Sequence, residues 1–452
     1  MFDLRPYVGR AWPFIHKVKH ISSCSCEAVW HTQLQSDHVH IFQLNSIYQI
    51  YSIMYRPLHQ EDDGLTLKQV IERSCRRIDL GAAVLPKPLR EDSEYPVALA
   101  RDFNAVVVEH NLKWTPLCHQ QPGPFPDETP SDRLGRYDFH FADQVVDWAV
   151  SHGMKVKGHV LCWHVTTPSF VSEFEPDELR KQLKQHIFTV MGHYRGRIGL
   201  WDVVNEALAP DGTLAKNVFL RILGPSYIEE CFRWAHEADP SALLLYNDNK
   251  VEGIGSPKSD GFYELLANLK LKGVPLHGCG LQAHFNAAGT GRSRTPTPRM
   301  VKEQIARLGR LGLTVNISEM DVRVSKLPEE LRQTAQKQIY HDIIAAALTE
   351  PAFDGLWLWG FTDLHSWVTH FYYDDEPLIL DEDYNRKEAY YALRDALATL
   401  TVGGIVGGDV LLDSDVDEEG NQWGHLWMQP DPEDEDEAGA GDARPDWEHE
   451  VI

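Results

Sequence analysis

Between residues 65 and 400 the chain alternates two kinds of segment: apolar runs of strand length, and stretches whose apolar residues recur every three to four positions. The first kind reads as strands buried on both faces, the second as helices laid against them. Strand-like runs fall at 78–84, 105–109, 155–163, 198–206, 242–248, 276–285, 314–321 and 356–363. Helical periodicity occupies 139–152, 176–194, 227–238, 259–272, 298–311 and 329–349. Pro176 suits the first turn of its helix, where N–H groups lack partners anyway. Leu179, Leu183 and Ile187 then recur at spacing four on one face. Eight β/α units over this length predict an α/β chain folded as a (β/α)8 TIM barrel with enlarged loops. A doubly wound open sheet would need a glycine-rich phosphate turn after an early strand, and the sequence has none.

The polar residues follow the rule of that fold. Glu109, His159 and Trp163, Asn205 and Glu206, Gln282 and His284, Glu319 and Asp321, and Trp359 and Asp363 each fall towards the C-terminal end of a run. A barrel carries its chemistry at that end. Two runs finish in carboxylates: Leu200-Trp201-Asp202-Val203-Val204-Asn205-Glu206-Ala207 and Thr314-Val315-Asn316-Ile317-Ser318-Glu319-Met320-Asp321. Breaking an acetal needs a proton on the leaving oxygen and electron density at the anomeric carbon, and two carboxyl groups supply both if one is protonated and the other ionised. Asp321 shares a strand face with Glu319, and His284 ends the preceding run. An Asp–His–Glu relay is therefore expected to orient Glu319 and keep it ionised. Glu319 reads as the nucleophile and Glu206 as the acid/base, with Asn205 donating to a sugar hydroxyl beside the reacting carbon. His159 and Trp163, four apart, are expected on one strand face. With Trp359 and Trp367 they suggest a cleft whose indoles stack on pyranose rings. Glu109 and Lys113 form a mixed-charge pair just after a strand; taken alone, such a pair is more often a surface ion pair.

Together these residues resemble glycoside hydrolase family 10, the retaining endo-β-1,4-xylanase family, from about residue 78 to about 397. Gly158-His159-Val160-Leu161-Cys162-Trp163-His164 is similar to the family's G-H-x-L-x-W-H. Trp201 to Ala207 resembles its acid/base motif, and Ile317-Ser318-Glu319-Met320-Asp321 its nucleophile motif. Leu281-Gln282-Ala283-His284 resembles the Q-x-H strand, and Leu358-Trp359-Gly360-Phe361-Thr362-Asp363 with Ser366-Trp367 the last strand and its loop. Pro377-Leu378, Asp381, Tyr384-Asn385, Lys387, Ala389 and Tyr390 resemble the closing segment. The resemblance implies a barrel, retention of configuration, a β-linked polysaccharide or oligosaccharide as substrate, no cofactor and no catalytic metal. It also implies that Glu109 and Lys113 hold the sugar two places from the cleaved bond. The chain departs from the pattern at His110, which stands where the family has an amide, and at Asn249 and Lys250, which break its N-D-Y-N. A histidine differs from an amide in reach and in pH dependence. His110 therefore leaves open a relative retuned for xylo-oligosaccharides, another β-glycan or a plant saponin glycoside. A sugar-binding relative without turnover is less expected, because an idle site need not keep the neighbours of both acids.

Composition changes the picture mainly at the ends. The formal net charge is −24, and the stretch from Asp409 onward, with sixteen acids against one Arg, supplies −15 of it. With the rest only mildly acidic, nucleic acid and anionic membranes are not expected partners. Residues 401–452 read as an acidic, disordered tail, and the barrel is expected to act as a monomer. Residues 1–64 read as an irregular extension ending at Glu61-Asp62-Asp63-Gly64; its Cys24-Ser25-Cys26 is not zinc-ligand spacing. Seven scattered cysteines make no disulfide framework. The N-terminus lacks a basic region followed by an apolar core, so a cytoplasmic location is expected, or secretion if translation starts elsewhere.

Overall fold

Strands that are apolar on both faces need cover inside and out, and closing the sheet into a ring lined by helices supplies it. The computed structural model describes residues 64–74, 76–118, 136–289, 295–372 and 375–400. The proposed extension, apart from Gly64, and the acidic tail lie outside them. The strands are β1 (Asp79–Val84), β2 (Ala105–Val108), β3 (Lys155–Gly158), β4 (Leu200–Asn205), β5 (Leu243–Asp248), β6 (Gly278–Leu281), β7 (His284–Asn286), β8 (Thr314–Arg323) and β9 (Phe353–Leu358). Eight of them close a parallel barrel in the order β1-β2-β3-β4-β5-β6-β8-β9, with β9 returning to β1. The predicted (β/α)8 TIM barrel is the fold observed.

Four of the expected strands differ in detail. The sixth, 276–285, is two strands: the chain turns at Ala283, whose φ is +65°, and β7 then runs beside the outer half of β8. That extra partner explains why β8 continues past Asp321 to Arg323. The third, 155–163, leaves the regular ladder after Gly158. Beyond it the N–H groups of Leu161 and Cys162 donate to the carbonyls of Asp202 and Val203, so His159 and Trp163 do not share one strand face as expected. The last begins at Phe353 and ends at Leu358, placing Trp359 just beyond the strand.

Indoles and glycines fit together between neighbouring strands, one pair inside the barrel and one on its helix-covered face. Trp201 on β4 lies opposite Gly158 on β3, and Trp357 on β9 opposite Gly81 on β1. A Cβ on Gly158 or on Gly81 would come within 2.1 Å of the facing indole, so only glycine leaves that ring its place. Beside them lies a buried ion pair, Lys157 Nζ to Asp202 Oδ2 at 2.9 Å, each side chain 1% exposed. Lys157→Met should leave Asp202 buried without its cation and cost about 3–5 kcal/mol. Lys157→Met combined with Asp202→Asn, which removes the charge and keeps an acceptor for His159 Nδ1, should cost much less. Denaturant unfolding of the single and double variants checks this, and equal losses would contradict it.

The outer helices follow their sequence signals. The helix Pro176–Tyr194 carries Asp177 and Glu178 in its first turn and His193 in its last, complementing the helix dipole. It buries Leu179, Leu183, Ile187, Val190 and Met191. The helix Pro257–Leu271 starts two residues earlier than its periodicity suggests, because Ser256 caps it by accepting from Ser259 N–H and Pro257 takes its first position. Among the described residues, no helix is long and apolar enough to cross a membrane, and no cluster of three or more His, Cys, Asp or Glu is arranged to hold a metal ion. Cys118, Cys162, Cys231 and Cys279 are buried free thiols.

Candidate active site

Most of the polar residues singled out in the sequence converge at one end of the barrel, at or just beyond the C-terminal ends of its strands. Glu206 directly follows β4 and has a left-handed φ of +53°. Its backbone is held there by Glu206 N–H donating to the Asn247 carbonyl at 3.0 Å and Ala207 N–H donating to the Tyr246 hydroxyl at 3.0 Å. Its carboxylate accepts from Trp163 Nε1 and from Gln282 Nε2, both at 3.0 Å. Glu319 lies within β8 and is 5% exposed. Its Oε1 accepts from Asn247 Nδ2 at 2.6 Å, and its Oε2 pairs with His284 Nε2 at 3.1 Å.

Amides join the two acids. Gln282 Nε2 donates to Glu206 and also to Asn205 Oδ1 at 3.2 Å, and Asn247 Nδ2 donates to Glu319 and to the same Asn205 oxygen at 2.9 Å. With its carbonyl oxygen taken twice, Asn205 keeps its NH2 group as a donor for a substrate hydroxyl. Ser318 Oγ donates to Asn247 Oδ1 at 2.6 Å and fixes that amide in turn. Gly280 makes the room: a Cβ there would lie 2.1 Å from Asn247 Oδ1. In the sequence Asn247 matches only as the first residue of the N-D-Y-N pattern and is given no role; its other signal is a polar side chain at the end of a buried strand.

The expected relay is present. His284 Nδ1 lies 2.7 Å from Asp321 Oδ2, which also accepts from Trp367 Nε1 at 2.8 Å. Burial opposes charge on the imidazole, but Asp321 and then Glu319 outweigh it and raise His284 to about 10. Burial likewise pushes Glu319 up. The His284 hydrogen bond and the fields of His159, His284 and Lys113 outweigh that, and Glu319 sits at about 2. Glu319 is therefore ionised at any pH well above 2, facing an imidazolium. His284→Asn removes both the charge and the hydrogen bond, so the pKa of Glu319 should rise. Activity needing ionised Glu319 is lost as pH falls through that pKa, so the acid limb of the kcat/KM profile should move to higher pH. An unmoved acid limb would refute the relay.

Around the acids sit the remaining residues. His159 Nδ1 lies 3.0 Å from Asp202 Oδ2, and its ring is 6.4 Å from Trp163 and 5.2 Å from Trp359. The His284 ring lies 5.0 Å from that of Trp367. Lys113 is buried, with its ammonium 4.8 Å from the centroid of the Trp163 ring and 5.6 Å from that of Trp359. It is no surface ion-pair residue; its charge is positioned over two indole rings. Burial raises Glu109 to about 7, against the pull of Lys113 and with the push of Asp321 and Glu319. Burial and then Lys113 lower His110 to about 3, so this histidine is neutral near pH 7 and adds no titration there. The pH dependence that the sequence suggested for His110 therefore falls in strong acid. Asp363 serves the closing segment instead of the cleft: it pairs with Lys387 at 2.7 Å and accepts Leu378 N–H at 2.8 Å. Beyond Glu206 a cavity of about 460 Å³ opens, lined by Pro210, Thr213, Lys216, Asn249 and Lys258 among others.

A parallel barrel whose mouth holds two carboxylates, one pinned ionised by an imidazolium, amid indoles and amides, is the architecture of a glycoside hydrolase. Residues 66–396 match Glycosyl hydrolase family 10, and the chain belongs to that family. It is similar to endo-1,4-beta-xylanase B of Thermotoga neapolitana, with 36% identity over 68% of this chain and 85% of the relative. It is similar also to the beta-1,4-xylanase of Dictyoglomus thermophilum, with 34% identity over 74% of this chain and 93% of the relative. Among solved structures it resembles xylanase 10B of Thermotoga petrophila RKU-1 in complex with xylobiose, with a TM-score of 0.66 and 34% identity over 75% of this chain and 99% of that one.

Proposed function

We propose that this chain hydrolyses the β-1,4 linkages of xylan-type backbones by double displacement, with Glu319 as nucleophile and Glu206 as acid/base. Glu206 protonates the glycosidic oxygen while a Glu319 oxygen attacks the anomeric carbon. The leaving sugar departs with that proton, and a glycosyl ester on Glu319 remains. Glu206, now a carboxylate, takes a proton from water, which attacks the same carbon and releases Glu319. Direct attack requires the two carboxyl groups to be about 5–5.5 Å apart. The supporting observation is the amide bridge through Gln282, Asn205 and Asn247, which ties both acids into one network. Asn205 is positioned to donate to the hydroxyl next to the reacting carbon. Glu109, His110 and Lys113 receive the sugar farther along, and Trp163, Trp359 and Trp367 form the indole walls of the cleft.

The test is hydrolysis of purified xylan with the products followed by NMR. Retention delivers the β-anomer first; α-anomer first, or inactivity on every xylose substrate, would overturn the reading. A second reading rests on His110 alone: the same chemistry directed at xylo-oligosaccharides, another β-glycan or a saponin glycoside. Rates on these against xylan discriminate the two.

A further inference from the structure

Besides Glu206, two non-glycine residues at the rim of the site adopt left-handed backbone conformations, Lys250 with φ +55° and Ala283 with φ +65°. Such conformations press Cβ against the backbone and persist only where surrounding groups hold them. Here one atom holds both. Glu252 Oε1 accepts Ala283 N–H at 2.9 Å and Lys250 N–H at 3.1 Å, and the Glu252 side chain is buried. Ala283 sits between Gln282, which donates to Glu206, and His284, which pairs with Glu319. The flanking carbonyls face β8: Gln282 O accepts Glu319 N–H at 2.9 Å and Ala283 O accepts Asp321 N–H at 3.4 Å. The turn at Ala283 thus sets the angle between the side chain that meets one acid and the side chain that meets the other.

We propose that Glu252 is a positioning residue for the reaction. By fixing the turn at Ala283, it aims Gln282 at Glu206 and His284 at Glu319 while touching neither acid. This rests on reading Glu206 and Glu319 as the reacting pair. Glu252→Ala leaves the turn unsupported, and a misplacement on the scale of 1 Å costs roughly 10²-fold. That loss should fall on kcat with KM little changed, since what is lost is alignment in the transition state. The acid limb of the pH profile should also move to higher pH, because His284 no longer meets Glu319 squarely.

The experiment compares kcat, KM and pH profiles of the full-length wild type, Glu252→Ala, Glu252→Gln and the double variant Glu252→Ala/Ala283→Gly on xylan. The glutamine oxygen accepts the same two N–H groups, so Glu252→Gln should recover most of kcat. Glycine at 283 tolerates the left-handed region unaided, so the double variant should recover part. If Glu252→Ala does not fold, Glu252→Asp, one methylene too short to serve both N–H groups, is read the same way. A wild-type kcat and acid limb in the unsupported variant, or a glutamine variant no better than alanine, overturns the proposal. Glu319→Ala runs alongside: if it keeps activity, the pair itself is misassigned, a failure distinct from a silent Glu252→Ala.

Discussion

Glu319→Ala should abolish turnover of every substrate, with a loss of at least about 10⁴-fold in kcat, because both halves of the reaction pass through that oxygen. Nothing nearby can take its place. Asp321 is already engaged by His284 and Trp367, and Glu109 is raised to about 7 by burial, so near pH 7 a large fraction of it is neutral. Among the described residues, neither of these acids is an ionised carboxylate left free to replace Glu319. The loss should be as large on an aryl xyloside with a good leaving group as on xylan. A variant that keeps its fold by circular dichroism and still turns over either substrate at more than a trace rate would show that the nucleophile lies elsewhere.

Glu206→Ala should behave differently, and the difference identifies its role. General acid–base assistance contributes typically about 10²–10⁴-fold. On xylan, whose leaving group is a poor one, the whole of that factor should be lost. On a nitrophenyl xyloside the leaving group needs no proton, so the first displacement proceeds. The second displacement still lacks its base, so the glycosyl ester accumulates. Stopped-flow absorbance should record a burst of nitrophenolate close to one equivalent of enzyme, followed by a slow steady state. An equal loss on both substrates without a burst would remove Glu206 from the acid/base role.

The barrel was legible in the sequence because its strands are apolar throughout and its helices keep one apolar stripe. Pro176 and the spacing of Leu179, Leu183 and Ile187 placed one helix to the residue. The carboxylate-bearing strand tips were legible for the same reason: Glu206 and Glu319 interrupt apolar runs where nothing in packing calls for an acid. Local geometry at the tips was not. A period-two pattern cannot foresee that the backbone leaves the ladder after Gly158 or turns at Ala283, because those departures are fixed by contacts with residues far along the chain. Glu252 and Ala283 are 31 positions apart, and Asn247 and Glu319 are 72 apart. The burial of Lys113 was hidden likewise, since sequence shows a charge but not the two indoles that cover it.

The left-handed turn at Glu206 has a cost in heat resistance that the enzyme bears for as long as it stays active. A Cβ in that conformation is disfavoured by about 1–2 kcal/mol, and glycine alone escapes it. Glu206→Gly should therefore melt about 1–3 °C above Glu206→Ala, although both are catalytically crippled and neither makes the Trp163 or Gln282 hydrogen bond. Selection for thermal endurance alone, with activity unmonitored, would be expected to drift toward glycine at this position and yield a sturdier, inert barrel.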